Sequence, residues 1–353
     1  MEEEIRNFIK VWILALASLC YCYYISAKIS RGLPRFLSLI PVFYIFTFLP
    51  FSLYSASLGG STATFLLWLG NFKLLLFSLD QGPLCLPPHK LSHFIITACL
   101  PIQVKQNPSS KTFQKTSPHP NPPSVPRPIQ WGVKLLLLAL VYHVSNYRQH
   151  LPKTVLVPIY CLQIYLLVEL LLDTSAAPVR AFLRVELEPQ FNDPYLATSL
   201  QDFWGRKWNL VVSGILRPTI YDPIRRISTG IVGPRWAALP AVIAVFVVSG
   251  LMHELIYYHL TRVRPTWEVT WFFIIHGICV TMEVAVKKVV RERWQLNPVI
   301  SRPLTAVFMA ATGHWLFFPQ FLRNGIDEKL KREFSMFLDF VRGIGFAALY
   351  RGT

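Results

Sequence analysis

The segment "AALPAVIAVFVVSGLMHELIYYHL", residues 237–260, runs for 24 residues without lysine or arginine, and Glu254 is its only acid. A helix rises about 1.5 Å per residue, so this length spans the roughly 30 Å hydrocarbon core of a bilayer. His253 and Glu254 stand side by side near its end. An ionisable side chain in hydrocarbon is costly, and one that persists there commonly lines a cavity or serves a function. The segment reads as a membrane span that carries chemistry, and the rest of the chain has to say which.

Of the 353 residues, 53% are apolar, 14% aromatic and only 15% charged, unlike a water-soluble domain. Apolar stretches long enough to cross recur near 8–27, 34–54, 61–79, 131–147, 154–173, 237–260, 267–286 and 303–322. The expected fold is all-α, a polytopic membrane helix bundle of about eight spans. Leu91 to Ile102 is too short to cross and is expected to be re-entrant or interfacial, and Phe334 to Tyr350 to lie on the surface as an amphipathic helix. The start "MEEEIRNFIK" is acidic where a cleaved signal is basic, so the first apolar stretch is expected to be a retained span.

The net charge of +16 comes from lysines and arginines gathered between the apolar stretches, with no groove-reading or base-stacking motif, so nucleic acid is not an expected partner. The positive-inside rule places 28–35, 81–127, 180–235 and 287–302 on the cytosolic side; the basic C-terminal tail does not fit that arrangement. Three parts are expected: N-terminal membrane spans over 1–102, a flexible Pro/Ser/Lys-rich cytosolic loop over 103–129, and a membrane bundle over 130–353 that holds the motifs. Six cysteines without CxxC or paired His/Cys spacing support neither a disulfide framework nor a metal site.

On a helix, residues three and four apart share a face, which aligns Phe246, Ser249, Gly250, Ile256 and Tyr257 with His253. Small side chains on one side and a tyrosine on the other outline a notch for a substrate. Glu254 points about 100° away and is expected to bond elsewhere in the bundle or at the helix end. Position alone fits equally well a histidine that merely bonds a neighbouring span. The sequence "HELIY" is not the zinc motif HExxH, because residue 257 is tyrosine and His259 lies on another face. No histidine has aspartate four or five residues later, and no GxSxG elbow is present, which argues against soluble-type acyltransferases and α/β hydrolases.

Between the fifth and sixth stretches lies "ELEPQFNDPYLATSLQDFWGRKWNLVVSGILRPTIYDPIRR", residues 186–226. It is too polar to cross and too aromatic to stand free in water, so short helices and turns at the cytosolic interface are expected. Trp204 and Trp208 are one helical turn apart with Arg206 and Lys207 between them, and Asn209 follows. Taken as a heptapeptide, "FWGRKWN" also fits a simple interfacial anchor. In "WLGNFKLLLF", residues 68–77, Asn71 and Lys73 read as structural, with Gly70 marking a break and Lys73 reaching an interface. His276 and Glu283, two turns apart, and His314 are lesser candidates.

The order of "PQFNDPYLATSLQDFWGRKWN" and "VSGLMHE", with "NFKLLLF", "RPTWEVTWFF" and "WLFFPQF", resembles the plant wax synthase family of the membrane-bound O-acyltransferase superfamily nearly from end to end. The resemblance implies an endoplasmic-reticulum enzyme that moves an acyl group from acyl-CoA to a lipid hydroxyl, without metal or prosthetic group. By motif the family's catalytic pair falls on His253 and Asn209. The acceptors known in the family are long-chain fatty alcohols, sterols, and diacylglycerol with an acetyl donor; fatty alcohol is the default expectation.

In that frame His253 is expected to take the acceptor's proton, a task that suits a side chain with an ordinary pKa of about 6.5. Asn209 is expected either to donate to the developing oxyanion or to orient His253. The phosphates of CoA call for a basic mouth, for which Arg206, Lys207, Arg225 and Arg226 are candidates, while Trp204, Trp208, Ser249 and Tyr257 are expected around the lipid. Two other classes compete. A proton-coupled transporter would use His253, Glu254, His276 and Glu283 as a relay but leaves the Trp-rich stretch without a role. A non-catalytic lipid-binding protein needs a cavity but not both Asn209 and His253.

Overall fold

The computed structural model describes residues 2–86, 90–103, 127–145, 147, 150–183, 187–290, 296–336 and 339, and every regular element among them is helical. Six helices are long and apolar enough to cross a membrane: Glu2–Lys28, Leu33–Ser52, Ala56–Ser78, Pro158–Ala177, Ala238–Thr261 and Glu268–Val289. The stretch expected to cross near 131–147 lies on a shorter apolar helix, Ile129–Ser145. That near 303–322 is shared by helix Pro298–Thr312, a π-helical turn Gly313–Phe317 and helix Phe318–Arg323, where Arg302, Pro303 and His314 dilute the apolar run. Most of the Pro/Ser/Lys-rich loop, 104–126, lies outside the described residues. So do 337, 338 and 340–350 of the expected C-terminal amphipathic helix, whose first residues end a helix over 326–336.

The N-terminal spans are α1 (Glu2–Tyr24), α2 (Leu33–Phe48) and a composite third helix made of α3 (Ala56–Thr62), a π-helical stretch (Ala63–Gly70) and α4 (Asn71–Ser78). Gly70 is no break; it ends the π stretch, packed so tightly that a Cβ would lie 3.1 Å from the Phe46 ring. Leu19, Leu39, Phe46, Leu66, Leu74 and Phe94 form the core of this part. The short α5 (Leu91–Cys99) is buried along one face and re-enters the bundle. Lys73 holds it there: fully buried rather than snorkelling, its Nζ donates to the carbonyls of Thr97 and Leu100, both at 2.6 Å. A helix C-terminus leaves carbonyls without partners and carries partial negative charge, so a buried ammonium at that end satisfies both.

The hairpin of α6 (Arg127–Ser145) and α7 (Lys153–Leu183) is tied by Lys134 Nζ to Glu169 at 2.6 Å. The aromatic stretch then forms short pieces, as its composition predicts: one turn α8 (Leu200–Asp202), a π-helical turn (Phe203–Lys207), α9 (Leu210–Leu216), a second π turn (Arg217–Tyr221) and α10 (Asp222–Trp236). α11 (Ala238–Thr261) and α12 (Glu268–Val289) close as a tight hairpin, followed by α13 (Pro298–Thr312) and α14 (Phe318–Arg323). In hydrocarbon, helices associate through close packing rather than the hydrophobic effect, and small residues permit the approach. Gly250 and Gly277 supply it: a Cβ on Gly250 would sit 3.1 Å from Thr270 Cα, and one on Gly277 would sit 2.7 Å from Phe246 Cβ. Glu254, 3% exposed, locks the hairpin by accepting from Trp267 N at 3.1 Å and Thr270 Oγ1 at 3.2 Å. A carboxylate at the start of α12 also suits the helix dipole.

Candidate active site

A cavity of about 830 Å³ lies among α7, the aromatic stretch, α11, α12, α13 and the π stretch of the third helix. His253, Asn209, Trp204, Trp208, Arg206 and Ser249 all line it, so residues far apart in sequence meet on one surface. All four π-helical segments among the described residues contribute to its wall, through Trp68, Trp204, Arg217 and Phe317. Such turns insert a residue into a helix and recur at functional sites, because they redirect side chains without breaking the helix.

His253 is oriented by its own helix. Its Nδ1 lies 2.8 Å from the Ser249 carbonyl oxygen. A carbonyl only accepts, so Nδ1 carries the proton and, in the neutral ring, Nε2 keeps its lone pair. Trp68 and the ring form a T-shaped pair with centroids 5.2 Å apart, and Phe273 lies tilted by 32° against it at 4.3 Å. Among the described residues no carboxylate bonds to this histidine, since Glu254 is occupied by α12.

Asn209 precedes α9 with φ 41°, in the left-handed region that asparagine tolerates better than most residues. Its Oδ1 accepts from Val212 N at 3.3 Å, capping the helix. That bond fixes the direction of the amide and leaves the Nδ2 hydrogens as donors on a residue that lines the cavity. His253 takes its orientation from Ser249, not from Asn209.

Trp208 stacks on Phe203 with centroids 5.3 Å apart and meets Phe191 edge-on at 5.2 Å. Trp204 is held by a buried chain: its Nε1 donates to His276 Nδ1 at 3.0 Å, His276 Nε2 donates to Thr312 Oγ1 at 2.9 Å, and Thr312 donates to the Phe308 carbonyl at 2.7 Å. Trp Nε1 can only donate, which fixes the tautomer along the chain. His276 is therefore fully committed, 0% exposed, and is not part of the cavity wall. Glu283 accepts from Gln201 N at 3.0 Å and pairs with Lys287, so the four-residue relay of a transporter is not assembled. His314 is likewise outside the wall.

Several expected substrate contacts fall elsewhere. Lys207 reaches the Asn192 carbonyl at 3.3 Å, and Arg225 and Arg226 stand exposed on α10, away from the cavity. Tyr257 is buried with its hydroxyl donating to the Phe317 carbonyl at 3.0 Å, and Gly250 faces α12. The notch drawn on a helical wheel is thus narrowed to Phe246, Ser249 and His253, because the tight α11–α12 contact consumes the neighbouring face. The cations that do line the wall are Arg206, Arg217 and Arg302; no carboxylate lines it among the described residues. Arg217 and Arg302 escaped the sequence reading, although Arg217 lies within the 186–226 stretch and Arg302 in a basic connection. Tyr195, also on the wall, donates to Asp193 Oδ1 at 2.8 Å, which with partial burial pushes its hydroxyl up to about 12 and keeps it protonated.

Residues 187–275, which include Asn209 and His253, match the profile of the membrane bound O-acyl transferase family. Over 97% of its length the chain is 47% identical to a probable long-chain-alcohol O-fatty-acyltransferase of Arabidopsis thaliana, covering 98% of that relative. It is 44% identical to the long-chain-alcohol O-fatty-acyltransferase of Simmondsia chinensis, with 97% of each chain covered. It is also 44% identical to an acyl-CoA–sterol O-acyltransferase of Arabidopsis thaliana, over 93% of this chain and 94% of the relative.

Proposed function

The chain belongs to the membrane bound O-acyl transferase family and is a multi-pass membrane acyltransferase; from that premise we propose that it transfers a fatty acyl group from acyl-CoA to a long-chain fatty alcohol, forming a wax ester, in the endoplasmic reticulum. The observation that carries this reading is the composition of the cavity wall. An imidazole with an available Nε2 and an amide donor line one largely apolar cavity whose charged lining residues, among those described, are all arginines. Fatty acyl-CoA has the matching chemistry, an apolar chain on an anionic headgroup.

In the proposed reaction His253 Nε2 takes the proton of the alcohol as its oxygen bonds to the thioester carbonyl carbon. The carbonyl oxygen, now an anion, accepts from Asn209 Nδ2. The carbon–sulfur bond then breaks, and His253 returns the proton to sulfur, leaving the ester and the free thiol of CoA. General-base help of this kind contributes about 10²–10⁴-fold, and one oxyanion donor about 10²–10³-fold. Arg206, Arg217 and Arg302 take the CoA phosphates in this scheme, where planar, doubly donating side chains are well suited. Both lipids enter from the bilayer, and a water-poor cavity keeps the thioester from hydrolysis.

A sterol acceptor is the second reading, because the relative named for sterol acylation is as similar as the one from Simmondsia chinensis. The test uses microsomes from a host without neutral-lipid acyltransferases, expressing the protein or its His253→Ala form. Labelled palmitoyl-CoA and acetyl-CoA are offered with fatty alcohol, sterol or diacylglycerol. Wax ester that disappears with His253→Ala is the expected result. Sterol ester as the main product would replace the acceptor, and turnover unaffected by His253→Ala would overturn the mechanism.

A further inference from the structure

His253 becomes a cation when it takes the acceptor's proton, yet among the described residues no carboxylate lines the site to balance that charge. In many hydrolytic sites a carboxylate behind the histidine stabilises the imidazolium. Here the position behind the ring is held by the Ser249 carbonyl at 2.8 Å, a dipole rather than a charge. Glu254, next in sequence, is turned away and holds the start of α12. The charges on the cavity wall are arginines, which oppose a second cation.

What surrounds the ring instead is aromatic. Phe273 lies along it at 4.3 Å with the planes 32° apart, Trp68 meets it at 5.2 Å and 72°, and Phe317 stands at 6.1 Å. Phe273 and Trp68 are 3% and 5% exposed, so neither ring face is spent on water. Aromatic faces carry negative quadrupole charge and attract a cation within about 6 Å of the centroid, most strongly where water is excluded. The placement has a structural origin in each case. The Gly250 contact lets α12 approach until a Cβ there would be 3.3 Å from Phe273 Cβ, and the π stretch Ala63–Gly70 delivers Trp68 from the N-terminal spans.

Building on the acyltransferase reading, we infer that Phe273 and Trp68 are positioning residues that clamp His253 and stabilise its imidazolium as the proton is transferred. They act on the rate of the chemical step and leave substrate affinity unchanged. The N-terminal spans thereby supply part of the reaction centre, in addition to the bundle that holds the sequence motifs.

The test is made on purified full-length enzyme in detergent or nanodiscs, after His253→Ala has been shown to abolish turnover. Phe273→Leu keeps apolar bulk but removes the π face, and kcat is expected to fall about ten- to thirtyfold, with KM for acyl-CoA and alcohol unchanged. Trp68→Leu should show a smaller loss of the same kind. Phe273→Tyr and Trp68→Phe keep the faces and should retain most activity; among the described residues Trp68 Nε1 has no hydrogen-bond partner, so the phenylalanine form breaks no bond there.

Mono-, di- and trifluorinated phenylalanine at 273 provides a series that folds like the parent, and log kcat should fall stepwise with each fluorine as the ring face loses negative charge. A flat series, equal losses in leucine and aromatic variants, or a change confined to KM would overturn the clamp while leaving the base assignment of His253 intact. Full turnover in His253→Ala would remove both.

Discussion

Asn209 performs two tasks with opposite ends of one amide, and substitution can separate them. Oδ1 caps α9 through Val212 N at 3.3 Å, while Nδ2 is the proposed oxyanion donor. Asn209→Asp keeps an acceptor at the cap and a residue that tolerates φ 41°, but replaces the donor with negative charge. Its stability should stay within about 0.5 kcal/mol of the parent, since aspartate and asparagine are nearly equivalent caps. Its kcat should fall by at least about 10²–10³-fold, the usual contribution of one such donor. Asn209→Ala loses the donor and the cap and places in the left-handed region a residue without the local polar side chain that eases it, adding a stability loss of about 1–3 kcal/mol. The assay pairs single-turnover acyl transfer from labelled palmitoyl-CoA with thermal unfolding of the same preparations. Turnover of Asn209→Asp within tenfold of the parent would refute the donor role, and equal destabilisation by both substitutions would refute the separation of cap from donor.

Arg217→Gln and Arg302→Gln should each raise the KM for acyl-CoA by about tenfold, the scale of one charged hydrogen bond, with an effect that weakens as salt increases. Arg225→Gln and Arg226→Gln, exposed on α10 and off the cavity wall, should leave it unchanged in the same saturation curves. Glu254→Ala strips the acceptor from Trp267 N and Thr270 Oγ1 and should cost about 1–3 kcal/mol in stability. Turnover per folded molecule should change little, an outcome that a proton relay through Glu254 would not permit. Gly277→Ala places a methyl 2.7 Å from Phe246 Cβ and should destabilise the α11–α12 hairpin by about 1–3 kcal/mol, seen as a lower midpoint of thermal unfolding.

Local signals carried the sequence reading as far as local signals reach. A long apolar run that carries an adjacent histidine and glutamate announces both a span and an exception to it, and the aromatic, basic composition of 186–226 announces an interface. Helical arithmetic failed where a neighbour decides which way a face looks. Ser249 and Gly250 flank His253 on the wheel, about 100° apart, but the close packing of Thr270 turns Gly250 to α12 and leaves Ser249 to the cavity. Trp68 and Arg217 come from π-helical turns, whose extra residue defeats a wheel drawn at 100° per residue. Arg302 reaches the wall from α13, after a connection that the sequence reads only as basic.

The two membrane histidines show where composition ends and bonding begins. His253 and His276 both sit on long apolar helices among aromatic residues, and the sequence ranks His276 lower without showing what occupies it. Their partners show it. A carbonyl behind one nitrogen of His253 forces the proton onto that nitrogen and leaves the other, on a residue that lines the cavity, able to accept. An indole behind one nitrogen of His276 and a hydroxyl before the other consume both, so that ring transmits order to Trp204 and has no lone pair left for a substrate. The difference between a base and a brace is thus one donor against one acceptor, supplied by residues 4 and 72 positions away.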